Sequence, residues 1–175
     1  MPGDVKKAAK FSVNINYPEP KVEKKSINYA NLLLLDYSGL VSELSATLLY
    51  VYQHLISDGK YEDYAEAVAG IAVIEMKHLE LLGETIKLLG LKPMYAIPHM
   101  GLYYPWNSKL IDYSTNINKM IDIDIQSELD AIKQYENHKI LIKDKYIVEL
   151  LNRIIEDEKL HLKFFRELKG KYERS

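Results

Sequence analysis

Cysteine is absent from the 175 residues. Disulfide frameworks, thiolate zinc sites, iron–sulfur clusters and cysteine nucleophiles are therefore excluded, and any bound metal must rest on carboxylates and imidazoles. Glycine is scarce, at 8 residues, which argues for long regular elements with few tight turns. No stretch shows sustained strand alternation, and the longest wholly apolar run, Ala67 to Ile74, is far too short to cross a bilayer. Excess charge is missing too. The 23 lysines and arginines against 25 acids give a net charge of −2, so no electrostatic footprint for nucleic acid or an anionic membrane exists. What remains is 47% hydrophobic and 27% charged, the balance of one soluble domain with a real core.

The chain divides into an N-terminal arm, residues 1–28, and a helical domain, residues 29–175. Six lysines (Lys6, Lys7, Lys10, Lys21, Lys24, Lys25), three acids and the stiff Tyr17-Pro18-Glu19-Pro20 step mark the arm as extended. No apolar stretch follows the lysines, so it is not a secretory signal, and a cytoplasmic location is expected. Four helical segments follow: about Tyr29 to Ser57, Glu62 to Leu89, the Ser114-Thr115-Asn116 cluster to Ile140, and Asp144 to Lys171. Each repeats apolar residues at three- and four-residue spacing, as in Ile147, Leu150, Leu151, Ile154, Ile155, Leu162 and Phe165. Gly90 with Pro93 behind it is a helix stop. Short links join segments one to two and three to four, so each pair should be an antiparallel hairpin. Residues 90–115 are long enough to run as a crossover along the bundle, with Tyr95, Tyr103, Tyr104, Trp106 and Tyr113 as its own packing residues. The expected fold is all-α, a four-helix bundle of two hairpins joined by one long crossover.

The second segment contains Glu75-Met76-Lys77-His78 and the fourth Glu158-Lys159-Leu160-His161. Residues three apart share a helix face, so each pair can present a carboxylate and an imidazole to one metal. Both pairs sit within apolar stripes and should point inward, where an unpaired charge is costly. The other two segments each add one glutamate in an apolar setting, Glu43 and Glu128. Four carboxylates bring −4, and no lysine or arginine lies one turn away on an inward stripe, so two divalent cations would balance the layer. Oxygen-rich ligation with two imidazoles suits two ions of iron or manganese better than a closed tetrahedral zinc.

Spacing also nominates supporting residues. Tyr50 lies seven residues after Glu43 and Tyr135 seven after Glu128, so both return to the ligand stripe. Asp124, one turn before Glu128, is a candidate acceptor for the far N–H of a ligand histidine, and Asp157 for the other. His54 reads as a satisfied core histidine, while His99 and His138 have no partner by spacing.

A double E-x-x-H with two spaced glutamates on four helices resembles the ferritin-like superfamily of dimetal carboxylate proteins, particularly its rubrerythrin and manganese-catalase branches, over residues 29 to 171. The resemblance implies Glu75 and Glu128 bridging two metals, Glu43 and Glu158 terminal, one histidine per metal, and Tyr50 and Tyr135 hydrogen-bonding ligand carboxylates. It implies an oxidoreductase acting on hydrogen peroxide or dioxygen, as a rubrerythrin-like peroxidase. Without cysteines its electrons must come from a separate donor such as a rubredoxin. Ala131 stands where rubrerythrins carry an additional carboxylate. The Glu43-Leu44-Ser45-Ala46 and Tyr52-Gln53 stretches are similar to manganese catalases and spore-coat relatives, so peroxide dismutation and a non-enzymatic coat or iron-handling role are the alternatives. A 24-subunit store ranks low, because no fifth helix follows the bundle. A homo-oligomer is expected, with a dimer favoured.

Overall fold

A computed structural model describes residues 8–174. Five α-helices carry the architecture: α1 (Ile27–Ser38), α2 (Glu43–Ser57), α3 (Glu62–Leu89), α4 (Ile117–Leu141) and α5 (Lys145–Tyr172). They make four rods, because α1 and α2 follow one another along α3 as two pieces of the first rod. Hairpins α2/α3 and α4/α5 form the bundle.

The expected single first helix is broken at residues 39–42. Gly39 closes α1 by donating its N–H to the Leu35 carbonyl, and a Cβ at this position would overlap that carbonyl oxygen. Ser42 then caps α2, accepting from the Ser45 N–H at 3.3 Å. Apolar periodicity continues across the break, which is why the sequence pattern hides it. A Gly39→Ala substitution should therefore cost about 1–3 kcal/mol, read as a lower urea midpoint, despite alanine's better helix propensity.

The remaining ends follow local chemistry. Asn116 caps α4 through the Lys119 N–H, Asp144 caps α5 through Tyr146 and Ile147, and Gly90 ends α3 in the left-handed region. The window of highest hydropathy lies in residues 27–57, long and apolar enough to span a bilayer by composition alone. In the fold 61% of that window is buried, and the stretch holds Asp36 and Glu43 inside the bundle.

The crossover differs from expectation. It contains an antiparallel hairpin, β1 (Ala96–His99) with β2 (Leu102–Pro105), turned by Met100 and Gly101, both at positive φ. Two prolines and strands of four residues gave no alternation to read. Four of its five Tyr and Trp residues meet the bundle, while Tyr104 meets His99 within the hairpin. Tyr95 stacks on Tyr37, Trp106 donates to Ser45 Oγ at 3.0 Å, Tyr103 donates to Asn31 at 2.9 Å, and Tyr113 meets Tyr52 edge-on.

Two apolar clusters fill the interior. One gathers Phe11, Tyr50, Tyr64, Val68, Ile71, Ile121 and Phe165; the other gathers Leu33, Leu34, Leu82, Ile86, Ile147, Leu151 and Ile154. Along both α3 and α5 the E-x-x-H residues fall between the segments that build these clusters. A charged layer is thus walled by hydrocarbon on both sides.

Candidate metal centre

That layer is held by the middle turns of four helices. Glu43 opens α2, Glu75 and His78 lie mid-way along α3, Glu128 lies in α4, and Glu158 and His161 lie in α5. All six are buried, none more than 3% exposed. Their donor atoms form two overlapping groups, Glu43/Glu75/His78/Glu158 and Glu75/Glu128/Glu158/His161.

The overlap assigns positions. Glu75 sets Oε2 3.0 Å from His78 Nδ1 and Oε1 3.1 Å from His161 Nδ1. Glu158 does the same, with Oε1 3.1 Å from His78 Nδ1 and Oε2 3.1 Å from His161 Nδ1. Glu43 reaches only His78, at 3.6 Å, and Glu128 only His161, at 3.8 Å. Glu75 and Glu158 thus each face both imidazoles, while Glu43 and Glu128 each face one. The expected pairing of Glu75 with Glu128 between the two halves is not the one this metal-free geometry displays. A glutamate one turn before its own histidine projects between that imidazole and the one on the facing helix, whereas α2 and α4 approach from the flanks.

Imidazole orientation shows what the cluster lacks. His161 Nε2 lies 2.8 Å from the Phe11 carbonyl oxygen, which can only accept, so Nε2 carries hydrogen. His78 Nε2 lies 3.1 Å from Asp157 Oδ2. Although burial pushes Asp157 up, hydrogen bonds from His78, Tyr17 and Arg153 hold its carboxyl below the usual range, so it too is an acceptor. Both Nδ1 atoms then face the carboxylates, where a neutral imidazole presents a lone pair. Among the described residues, Glu75 Oε1 and Glu158 Oε1 are buried and face no polar hydrogen other than any carried by the Nδ1 atoms of His161 and His78, each 3.1 Å away. Lone pairs converging on lone pairs require cations in between.

Protons do that work in the metal-free protein. Burial, then the charges of Glu75 and Glu158, raise Glu43 well above the ordinary carboxylate range; burial likewise raises Glu128. Burial alone would lower both histidines, but the surrounding carboxylates, Glu158 for His78 and Glu75 for His161, raise them well above the ordinary imidazole value. Four carboxylates and two inward nitrogens fit a pair of divalent ions in oxygen-rich coordination.

The tyrosines tie the two hairpins together. Tyr50 in α2 donates to Glu128 Oε1 in α4, and Tyr135 in α4 donates to Glu43 Oε1 in α2. Each phenol holds the flanking carboxylate of the opposite hairpin. Asp124 does not meet a histidine. It accepts from Gln53 Nε2 and the Tyr64 hydroxyl, both at 2.8 Å, and burial lifts it to about 7. The His161 Nε2 is taken instead by the Phe11 carbonyl oxygen, at 2.8 Å.

Several residues escaped the sequence reading. Arg153 is buried one turn before Asp157 and pairs with it, at 2.8 Å, rather than with any of the four glutamates. The arm supplies Phe11, Ser12, Val13 and Tyr17 around the histidines; no periodicity links an extended arm to a helix face. His138, without a partner by spacing, places Nδ1 2.8 Å from Asp36, to which Gln134 also donates at 2.8 Å. His54 is half-buried and meets the Ala65 carbonyl at 3.1 Å. His99 is exposed on the hairpin.

A cavity of about 20 Å³, room for one or two water-sized molecules, touches all four glutamates. Asp36, Val41, Ser42, Ala46, Ser127, Ala131, Gln134 and Tyr135 complete its wall. It lies at the break between α1 and α2, beside a surface depression that shares Val41, Ser42, Ala46 and Ser127. Ala131 keeps this wall short, since a longer side chain would enter the cavity.

Fold and site together define a ferritin-like bundle of the dimetal carboxylate class, the class of proteins that hold two iron or manganese ions in such a core. The rubrerythrin family model matches residues 35–169, and the chain belongs to the rubrerythrin family. It is 26% identical to a probable manganese catalase of Clostridium acetobutylicum, over 90% of this chain and 77% of that one. A manganese catalase from Anabaena PCC7120 superposes with a TM-score of 0.80 at 19% identity, over 92% of this chain and 78% of that one. The bacterioferritin of Desulfovibrio desulfuricans, with its diiron site, superposes at 0.69 and 23% identity, over 84% and 81%.

Proposed function

We propose that this protein is a dimetal oxidoreductase that consumes hydrogen peroxide, with Glu43, Glu75, His78, Glu128, Glu158 and His161 holding two ions of iron or manganese. The observation that carries the reading is the pair of inward Nδ1 lone pairs facing four carboxylates, with both Nε2 positions fixed as donors. Bound iron or manganese supplies the redox equivalents that peroxide chemistry needs. The protein's own groups do the rest. The cavity admits only molecules near the size of water or peroxide, and hydrocarbon above and below the layer excludes bulk solvent. Tyr50 and Tyr135 keep protons on their phenols and turn the free oxygens of Glu128 and Glu43 toward the centre. Ala131 leaves the cavity open at the approach to Glu43 and Glu128.

Membership of the rubrerythrin family favours reduction of peroxide to two waters with two electrons and two protons from outside. With no cysteine, those electrons come from a separate donor such as a rubredoxin. A second reading, disproportionation to water and dioxygen, is supported by the likeness to manganese catalases over nearly the whole chain. It needs no donor. The exposed row Leu48, Val51 and Leu55 on α2 suits the homo-oligomer contact that either reading accommodates.

Protein grown with both metals available should contain about two iron or manganese atoms per chain by elemental analysis. Peroxide loss only with a reduced donor supports the peroxidase; dioxygen release without one supports the catalase. A metal-replete protein that leaves peroxide untouched in both assays overturns the enzyme reading and favours a coat or iron-handling role.

A further inference from the structure

Resting on the metal-centre reading, we infer that the N-terminal arm at residues 11–17 is a working part of that centre, a strap that sets the tautomer of both ligand imidazoles. The bundle alone leaves the outward face of each histidine without a complete partner. The Phe11 carbonyl oxygen, 2.8 Å away, is the acceptor for His161 Nε2–H. On the other side, Asp157 accepts His78 Nε2–H, and the arm holds Asp157 in place. The Val13 N–H donates to Oδ1 at 2.7 Å, while Ser12 Oγ at 3.2 Å and the Tyr17 hydroxyl donate to Oδ2. The Tyr17 oxygen also lies 3.2 Å from His78 Nε2.

Arg153 latches the strap. Its guanidinium donates to the Ile15 carbonyl at 2.7 Å, the Val13 carbonyl at 3.1 Å and Ser12 Oγ at 2.9 Å, and it covers the Tyr17 ring at 4.1 Å. One buried cation thereby fixes four arm residues and Asp157 together. Gly70 provides the seat. The Phe11 ring, 2% exposed, lies where a Gly70 Cβ would be, and Phe164 closes over it with ring centroids 4.9 Å apart. An acceptor on the outward nitrogen holds the inward nitrogen's lone pair on the metal, so the arm's position sets how tightly the centre binds.

Gly70→Ala separates this role from general stability. It adds a better helix former to α3 while evicting Phe11 from its seat. Gly170→Ala in α5 makes the same change where space is open, and serves as the control. Arg153→Met removes the latch without touching Gly70. Full-length proteins are loaded with zinc, a diamagnetic probe, and its loss to a chelator is timed while 15N histidine spectra report the tautomers. Limited trypsin digestion at Lys10 and Lys21 reports release of the arm. We expect wild type and Gly170→Ala to hold zinc with both Nε2 atoms protonated. Gly70→Ala and Arg153→Met should lose zinc about tenfold or more faster, with faster arm cleavage and a mixed His161 tautomer. Should either variant open its arm to trypsin yet keep wild-type zinc retention and tautomers, the strap is overturned and the metal centre stands. Failure of wild type itself to bind zinc, iron or manganese overturns both.

Discussion

Replacing Glu158 by glutamine should empty both metal positions, whereas Glu43→Gln should empty only the one beside His78. Glu158 Oε1 and Oε2 each stand 3.1 Å from a different Nδ1, so a single amide weakens both positions at once. Glu43 approaches His78 alone. Elemental analysis after manganese or iron loading should give well under one ion per chain for the first variant and about one for the second, against about two for wild type. Stability adds an independent readout. Loading a site to a thousandfold above its Kd adds about 4 kcal/mol, or roughly 10 °C in Tm for a chain this long. Glu158→Gln should lose this increment entirely. Metal-free Glu43→Gln should melt within about 1 kcal/mol of metal-free wild type, because burial and its neighbours already keep the Glu43 carboxyl protonated. Equal metal content in the two variants would refute a shared role for Glu158.

The second large effect is on pH. Glu43, Glu128, His78 and His161 all have folded pKa values raised above their ordinary ones in the metal-free protein. For raised groups, the stabilisation is present below the unfolded pKa and is lost as pH rises through the folded value. Metal-free protein should therefore weaken as pH rises from the ordinary carboxylate and imidazole values towards the raised folded ones. Metal binding runs the other way, since each ion displaces protons from its ligands. Affinity should climb at least about tenfold per pH unit, equivalent to one displaced proton or about 1.4 kcal/mol. The Tm gap between loaded and metal-free protein should widen steadily across that range. Glu75 and Asp157 are lowered instead, so their contributions fade only on the acid side of the ordinary carboxylate range. A gap that stays constant with pH would mean that the layer does not exchange protons for metal.

What could be read from the sequence was whatever repeats with the helix. Glu75 and His78, like Glu158 and His161, are three residues apart, and the seven-residue steps from Glu43 to Tyr50 and from Glu128 to Tyr135 are whole turns. Those intervals locate a face, and the fold brings all eight residues to one layer. Which carboxylate lies between the two imidazoles depends on how helices cross, and no spacing encodes that. The break at Gly39 is a single close approach to Leu35 inside an unbroken apolar rhythm. The hairpin turns on Met100-Gly101 rather than on the Asn-Gly that announces such a turn. Phe11 and Tyr17 act through one carbonyl and one hydroxyl of a non-periodic segment, reaching partners more than 60 residues away in the chain.

The crossed tyrosine bonds have a consequence for assembly. The α2/α3 hairpin by itself carries Glu43, Glu75 and His78, and the α4/α5 hairpin carries Glu128, Glu158 and His161. Each lacks the phenol that steadies its flanking carboxylate and the second shared glutamate. Each half alone offers three of the six donors, so the full constellation exists only where the two hairpins have docked.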